Sequence, residues 1–227
     1  MSAKRDLVFD IEAIPCDAMV EPLREYLSAR MDGDQKMIEK MALYGWTAQV
    51  VVIAMWDTAA ASGTVLYEHG RQFAKLPKGW SGESFTPGLD GCERSMLMRW
   101  WELAGSARDT RLVGFNSRRY DLPVLCQRSV VHDIDVSHSI APYRYGGKDH
   151  VDISDILTGY GAARAFSLDA VCKAVGIDSP KVHGDGSAVE ATYASGHNEL
   201  NAEYCVRDVI AQAALFERIR NTVLARI

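Results

Sequence analysis

The 227-residue sequence has no long apolar run. The apolar stretch after the basic N-terminal MSAKRD is short and is broken by Asp10 and Glu12, so neither a signal peptide nor a membrane span is expected. Cysteine is scarce: Cys16, Cys92, Cys126, Cys172 and Cys205 are scattered, odd in number and never in C-x-x-C spacing. That disfavours a disulfide framework and a zinc knuckle alike, and points to a reducing cytoplasm. An excess of positive charge is also missing, since 25 Lys and Arg face 30 Asp and Glu for a net charge of −5. A generally polybasic protein is therefore excluded, and any contact with a polyanion must come from a local basic patch. The sequence has no internal repeat, no low-complexity tract and no long charge run. What it does have is 48% hydrophobic residues, enough for one core and one domain over residues 1–227.

Leu7 to Ile14 (LVFDIEAI) reads as the first strand. Alternation sends Leu7, Phe9 and Ile11 to one face and Val8, Asp10, Glu12 and Ile14 to the other. Gln49 to Trp56 and Thr64 to Glu68 read as two further strands, which with the first suggest an antiparallel meander. Ala18 to Leu43 reads as one or two helices broken at Asp32–Asp34, and Gly70 to Gly91 as a surface loop. Cys92 to Ala104 is an amphipathic helix whose tryptophans at helical spacing belong in the core, followed by a strand over Arg111–Asn116 and a helix over Tyr120–Val131. His150 to Ile153 reads as a short strand. Helices follow: one capped by Ser167 and ended by Gly176, one with a capping box of Ser187 and Glu190, and a last one from about Asn198 to Arg220. This order predicts an α/β fold with a mixed five-stranded sheet, three antiparallel strands and then parallel ones, and helices on both faces.

Three segments carry acids in informative places. Asp10 and Glu12 share a strand face with backbones roughly 6.5 to 7 Å apart, close enough to converge on one cation, without which the pair would repel and resist burial. Asp121 stands where the strand of GFNSRRYDLPVL gives way to a helix. An Asp two residues before Pro123 makes a good helix cap, yet it also lies at a strand's carboxyl end beside Asn116, Arg118 and Arg119, donors suited to a phosphate. On the last helix Tyr204 and Asp208 are one turn apart on one face, and the apolar neighbours of Asp208 make an uncompensated carboxylate costly there. Asp152 and Asp155 read as caps or supporting groups, and His132, His138 and His150 as scattered surface residues, because no ligand spacing joins them.

In order, Asp10-x-Glu12, Asn116-x-x-x-Tyr120-Asp121 and Tyr204-x-x-x-Asp208 resemble the three motifs of the DEDD superfamily of 3'-to-5' exonucleases, which are DnaQ-like and have the ribonuclease H-like fold. Tyrosine in the third motif matches the DEDDy pattern; the histidine subtype would need His where Glu203 stands. FNSRRYDLPVL, HVDISDIL, SLDAVCKAVGI, the run from Lys181 to Val189 and the closing Tyr204–Val209 are similar to predicted exonucleases related to the proofreading domain of family-B DNA polymerases. The chain ends 19 residues after Asp208, so no polymerase domain is expected in it.

The resemblance implies a metal-dependent exonuclease acting on the 3' end of a single strand of nucleic acid, with DNA the first choice although no motif announces the 2'-hydroxyl contact that would tell it from RNA, and with a polymerase or replication protein as a partner in trans. It implies two Mg²⁺ or Mn²⁺ ions, since hard oxygen ligands suit these and a pair of ions serves in-line cleavage of a phosphodiester. By the same resemblance Asp10 bridges both ions, Glu12 and Asp208 complete the nucleophile-side site, Asp121 holds the second ion partly through water, and Tyr204 orients the attacking water. Lys181 and His183, in a glycine-rich loop, read as solvated loop residues first and as candidate phosphate contacts beside Asn116, Arg118 and Arg119 second. The alternatives on the same fold are a non-catalytic nucleic-acid-binding module, a replication accessory and an RNA-directed exonuclease.

Overall fold

Alternating apolar side chains build β1 (Arg5–Pro15), the strand on which both cores meet. Leu7, Phe9 and Ile11 enter one core, and Val8 with Ile14 the other. The structure, a computed structural model, describes residues 4–16, 18, 23–29, 41–86, 91–138, 148–178 and 188–224. β1 pairs antiparallel with β2 (Ala48–Asp57), which pairs antiparallel with β3 (Ser62–Glu68), as the meander requires. On its other side β1 pairs parallel with β5 (Thr110–Gly114), and β5 with β6 (His150–Asp152). The sheet order is β4-β3-β2-β1-β5-β6.

The sheet thus has six strands where the sequence predicted five. The additional one, β4 (Trp80–Phe85), runs parallel to β3 inside the stretch expected to be a surface loop. Its sequence, WSGESF, has no apolar alternation because β4 is an edge strand and largely exposed. Trp80 anchors it, with its ring 5.5 Å from that of Trp56 and lying over Gly63, where a Cβ would come within 2.5 Å of the indole. Only glycine leaves room for that ring.

Among the described residues the helices are α1 (Arg24–Ser28), α2 (Cys92–Ala104), α3 (Asp121–Val131), α4 (Ile153–Leu157), α5 (Leu168–Val175), α6 (Ala188–Ala194) and α7 (Asn198–Thr222). α2 and α3 cover one face of the sheet, with Leu97, Trp100, Trp101, Leu122 and Leu125 packed against Phe9 and Ile53. The tryptophans are core residues: Trp100 is fully buried, 5.1 Å from the Phe9 ring. α7 covers the opposite face through Cys205, Val206, Val209, Leu215 and Phe216. Ser167 caps α5 at the Ala170 N–H and Gly176 ends it in the left-handed conformation, as read from the sequence. The predicted cap Ser187 lies outside the described residues.

Two buried polar features hold these layers in register. Under α2 and α3, Glu93 accepts from the Val50 N–H (2.7 Å), from Arg128 Nε (2.8 Å) and Nη2 (2.6 Å), and pairs with His132. Burial alone would raise the Glu93 carboxyl, but His132, Arg128 and the Val50 amide outweigh it and hold it below the ordinary value. On the α7 side, the β1–β2 register pairs Glu12 with Val52 and Ala13 with Val50, leaving Val51 as a bulge. The Val51 carbonyl accepts from Asn198 Nδ2 at 3.1 Å, and the same amide donates to the Glu68 carbonyl at 2.8 Å. The start of α7 is thereby pinned across β2 and β3.

Candidate active site

β1 delivers Asp10 and Glu12 to the face covered by α7. Asp10 Oδ1 accepts from Gln212 Nε2 at 2.9 Å, and the Cys205 thiol approaches Asp10 Oδ2 at 3.8 Å. Ligand-capable atoms of Asp10, Glu12 and Cys205 all lie within 4.8 Å of one another. Glu12 sits beside the bulge, which twists the strand end where the two acids meet.

Asp121 comes from the first turn of α3, reached by a tight turn after β5. A Cβ on Gly114 would stand 2.5 Å from Ser117 Oγ, so glycine is required for the turn to fold back. Asn116 adopts φ of +59°, a left-handed conformation that asparagine tolerates better than most residues. This turn aims the N–H groups of Asn116 and Arg118 at the two oxygens of Asp152, each at 2.9 Å. Asp152 also caps α4 by accepting from Ser154 and Asp155, and Asp155 accepts from Arg118 Nε at 2.7 Å. The Asp121 carboxylate accepts from the Ile11 N–H at 3.3 Å. It thus reaches across to β1, between the two acids of that strand, in addition to meeting its own backbone N–H.

α7 presents Tyr204, Asp208 and Gln212 on successive turns. The Tyr204 hydroxyl donates to Asp208, and the Arg207 guanidinium lies 5.9 Å from the centre of the Tyr204 ring. Gln212 is buried and uses both ends of its amide, since Oε1 accepts from the Phe115 N–H at 3.0 Å.

The electrostatics are those of a cluster of one sign. Burial first, then repulsion from Asp121, Asp208 and Glu12, pushes Asp10 well above the usual carboxylate range, and the Gln212 hydrogen bond only partly opposes this. Glu12 is raised by burial and by Asp208 and Asp121. Asp121 is raised to about 7 by burial, with its hydrogen bonds to backbone N–H groups opposing and Asp152 and Asp208 adding to the rise. The Tyr204 and Cys205 protons are held for the same reasons, so both remain neutral donors. Glu12 and Asp121 are buried, Asp10 and Asp208 partly so, and Asp208 helps to raise the other three; such a group of carboxylates is the donor set of a hard divalent cation, whose charge would remove the repulsion. A neutral thiol adds little to such a set, being soft and protonated.

Asp10, Glu12, Asp121, Tyr204 and Asp208 are therefore brought together from three distant segments. Asn116 and Arg119 are exposed on the adjoining turn, while Arg118 is partly buried against Asp155. Lys181 and His183 lie outside the described residues. The histidines read as surface residues are not all so: His138 and His150 are buried, the latter with Nε2 2.9 Å from Ser117 Oγ, and His132 is tied to Glu93. Burial lowers His150 to about 3, which keeps it neutral. Sequence reasoning missed Gln212 and Cys205 at the site. The signal was present for Gln212, four residues after Asp208 and hence on the same helix face.

A family model described as a predicted 3'-5' exonuclease related to the exonuclease domain of PolB matches residues 83–223, more than half of the chain. No curated protein matches in sequence. Among solved structures, the family B DNA polymerase from the hyperthermophilic archaeon Pyrobaculum calidifontis is similar, with a TM-score of 0.59 and 17% identity over 96% of this chain. The chain spans about a quarter of that polymerase's length, as 25% of it is covered. The likeness supports the fold, a ribonuclease H-like mixed sheet between helical layers.

Proposed function

Because the chain belongs to the family of predicted 3'-5' exonucleases related to the exonuclease domain of PolB, we propose that residues 1–227 act as one metal-dependent exonuclease domain. It hydrolyses phosphodiester bonds from the 3' end of single-stranded nucleic acid, with DNA the favoured substrate. The observation that carries this reading is the convergence of Asp10, Glu12, Asp121 and Asp208 in one cluster beside Tyr204, buried at Glu12 and Asp121 and partly buried at Asp10 and Asp208.

Asp10, Glu12, Asp121 and Asp208 would hold two Mg²⁺ or Mn²⁺ ions. Such ions, when bound, supply an activated water, neutralise phosphate oxygens and stabilise the leaving oxygen. Tyr204, held as a phenol, keeps its proton and donates to Asp208, so it orients the acid nearest it and the water expected there. Gln212 and Cys205 donate to Asp10 without adding positive charge, which preserves the field that draws in the cation. Exposed Asn116 and Arg119 border the cluster and are proposed to meet the substrate's phosphates, as are Lys181 and His183. Arg118 shapes the turn through Asp155. Five free thiols fit a reducing compartment, and cytoplasmic action with a polymerase or replication protein in trans is part of the proposal. Among the described residues no helix is long and apolar enough to cross a membrane.

The test is degradation of a 5'-labelled single-stranded DNA oligonucleotide, and of its RNA counterpart, with Mg²⁺ or Mn²⁺. Wild type should give a ladder shortening from the 3' end, and Asp10→Ala and Asp208→Ala should give none. Binding of both polymers without cleavage of either would replace the enzyme by a binding module.

A further inference from the structure

We infer that Gln212 is a positioning residue of this site, fixing the Asp10 carboxylate and tying β1 to the turn that leads into Asp121. The inference rests on the exonuclease reading and deepens it. Three observations support it. Gln212 is 1% exposed, so its amide must find partners inside the protein. Both ends find them on segments far apart in the chain: Nε2 donates to Asp10 Oδ1 at 2.9 Å, and Oε1 accepts from the Phe115 N–H at 3.0 Å. Phe115 directly follows β5 and opens the turn whose far end is Asp121. One side chain therefore sets the distance between the strand carrying two of the acids and the turn delivering the third.

The residue type suits the task. A glutamine amide is a donor and an acceptor at once, so it holds a carboxylate on one side and a backbone N–H on the other. Being neutral, it restrains Asp10 without the charge by which Lys or Arg would satisfy the acid and exclude a cation. Cys205 acts in the same sense on the other oxygen of Asp10. With both oxygens approached by neutral donors, rotation of the carboxylate is restricted, and the acid is presented in one orientation.

The experiment compares wild type, Gln212→Leu, Gln212→Met and Asn201→Ala by Mn²⁺ titration, read as thermal stabilisation, and by the rate of 3' shortening of the oligonucleotide. Leu and Met keep the volume and remove both polar ends; unbranched Met fits the slot if Leu does not fold. Asn201 is a control from the same helix, a buried amide that donates to the Val189 carbonyl at 3.0 Å. A positioning role raises the Mn²⁺ midpoint, lowers the rate, or does both, by roughly 10- to 100-fold in the Gln212 variants. Asn201→Ala should lower the melting temperature in chelator and leave the Mn²⁺ midpoint where it is. Gln212 variants with the wild-type midpoint and rate would overturn the inference and leave the exonuclease standing. A wild type with neither Mn²⁺ stabilisation nor cleavage would overturn both.

Discussion

Neutralising Asp121 should stabilise the metal-free protein. Its carboxyl titrates near 3.8 when unperturbed and at about 7 in the fold, because burial outweighs its hydrogen bonds and Asp152 and Asp208 add repulsion. Raising the folded value means that the stability the protonated acid brings is fully present below about pH 4 and is lost as pH rises through 7. At 1.36 kcal/mol per tenfold change, the interval from 3.8 to about 7 corresponds to at most ~4 kcal/mol. Asp121→Asn removes the charge, nearly keeps the shape, and still offers an oxygen to the Ile11 N–H. With about half to all of that energy recovered, and ~2 to 4 °C per kcal/mol for a chain of this size, its Tm at pH 8 in chelator should exceed wild type by roughly 4 to 16 °C. The gap should close as pH falls toward 4. Thermal melts from pH 4 to 8 in EDTA read this directly, and saturating Mn²⁺ should narrow or reverse the gap by stabilising wild type more. An Asn variant no more stable than wild type at pH 8 in EDTA would refute the idea that repulsion and burial strain the cluster.

Two further outcomes follow from the packing. Arg128→Met strips the guanidinium from buried Glu93 and should cost about 3 to 5 kcal/mol in denaturant unfolding, while adding Glu93→Gln to the same chain should recover a good part of it. Gly114→Ala drives a methyl to 2.5 Å from Ser117 Oγ in the turn before Asp121; it should cost about 1 to 3 kcal/mol and slow oligonucleotide shortening along with it.

How far the sequence could be read depended on whether burial left a period in it. β1, α2 and α7 each expose one consistent face to a core, so Phe9, Trp100 and Val209 recur where alternation or helical spacing demands. β4 left no such trace because it hangs on the sheet edge by Trp80 and shows most of its side chains to water. The acids of the candidate site stand out in the sequence by type and order, while their mutual approach does not, since it is made by contacts across roughly a hundred residues or more of chain, Asp121 to Ile11 and Gln212 to Asp10. For Asp121 the sequence left a helix cap and a site ligand in competition, and the side chain lies against β1. The buried histidines were misjudged because their partners, Ser117 for His150 and the Thr110 carbonyl for His138, come from segments distant in the chain, and that leaves no spacing pattern behind.

The 25-residue helix α7 works as a ruler as well as a lid. Tyr204, Asp208 and Gln212 are spaced by four, so each stands about 6 Å further along the axis than the last and all three look toward the sheet. Substitutions between them change chemistry at single points on that scale, but inserting or deleting one residue turns everything beyond it by about 100°. Asp208 could then keep its place only if Gln212 swung away from Asp10, or the reverse. Across this stretch the chain should therefore accept changes of residue far more readily than changes of length.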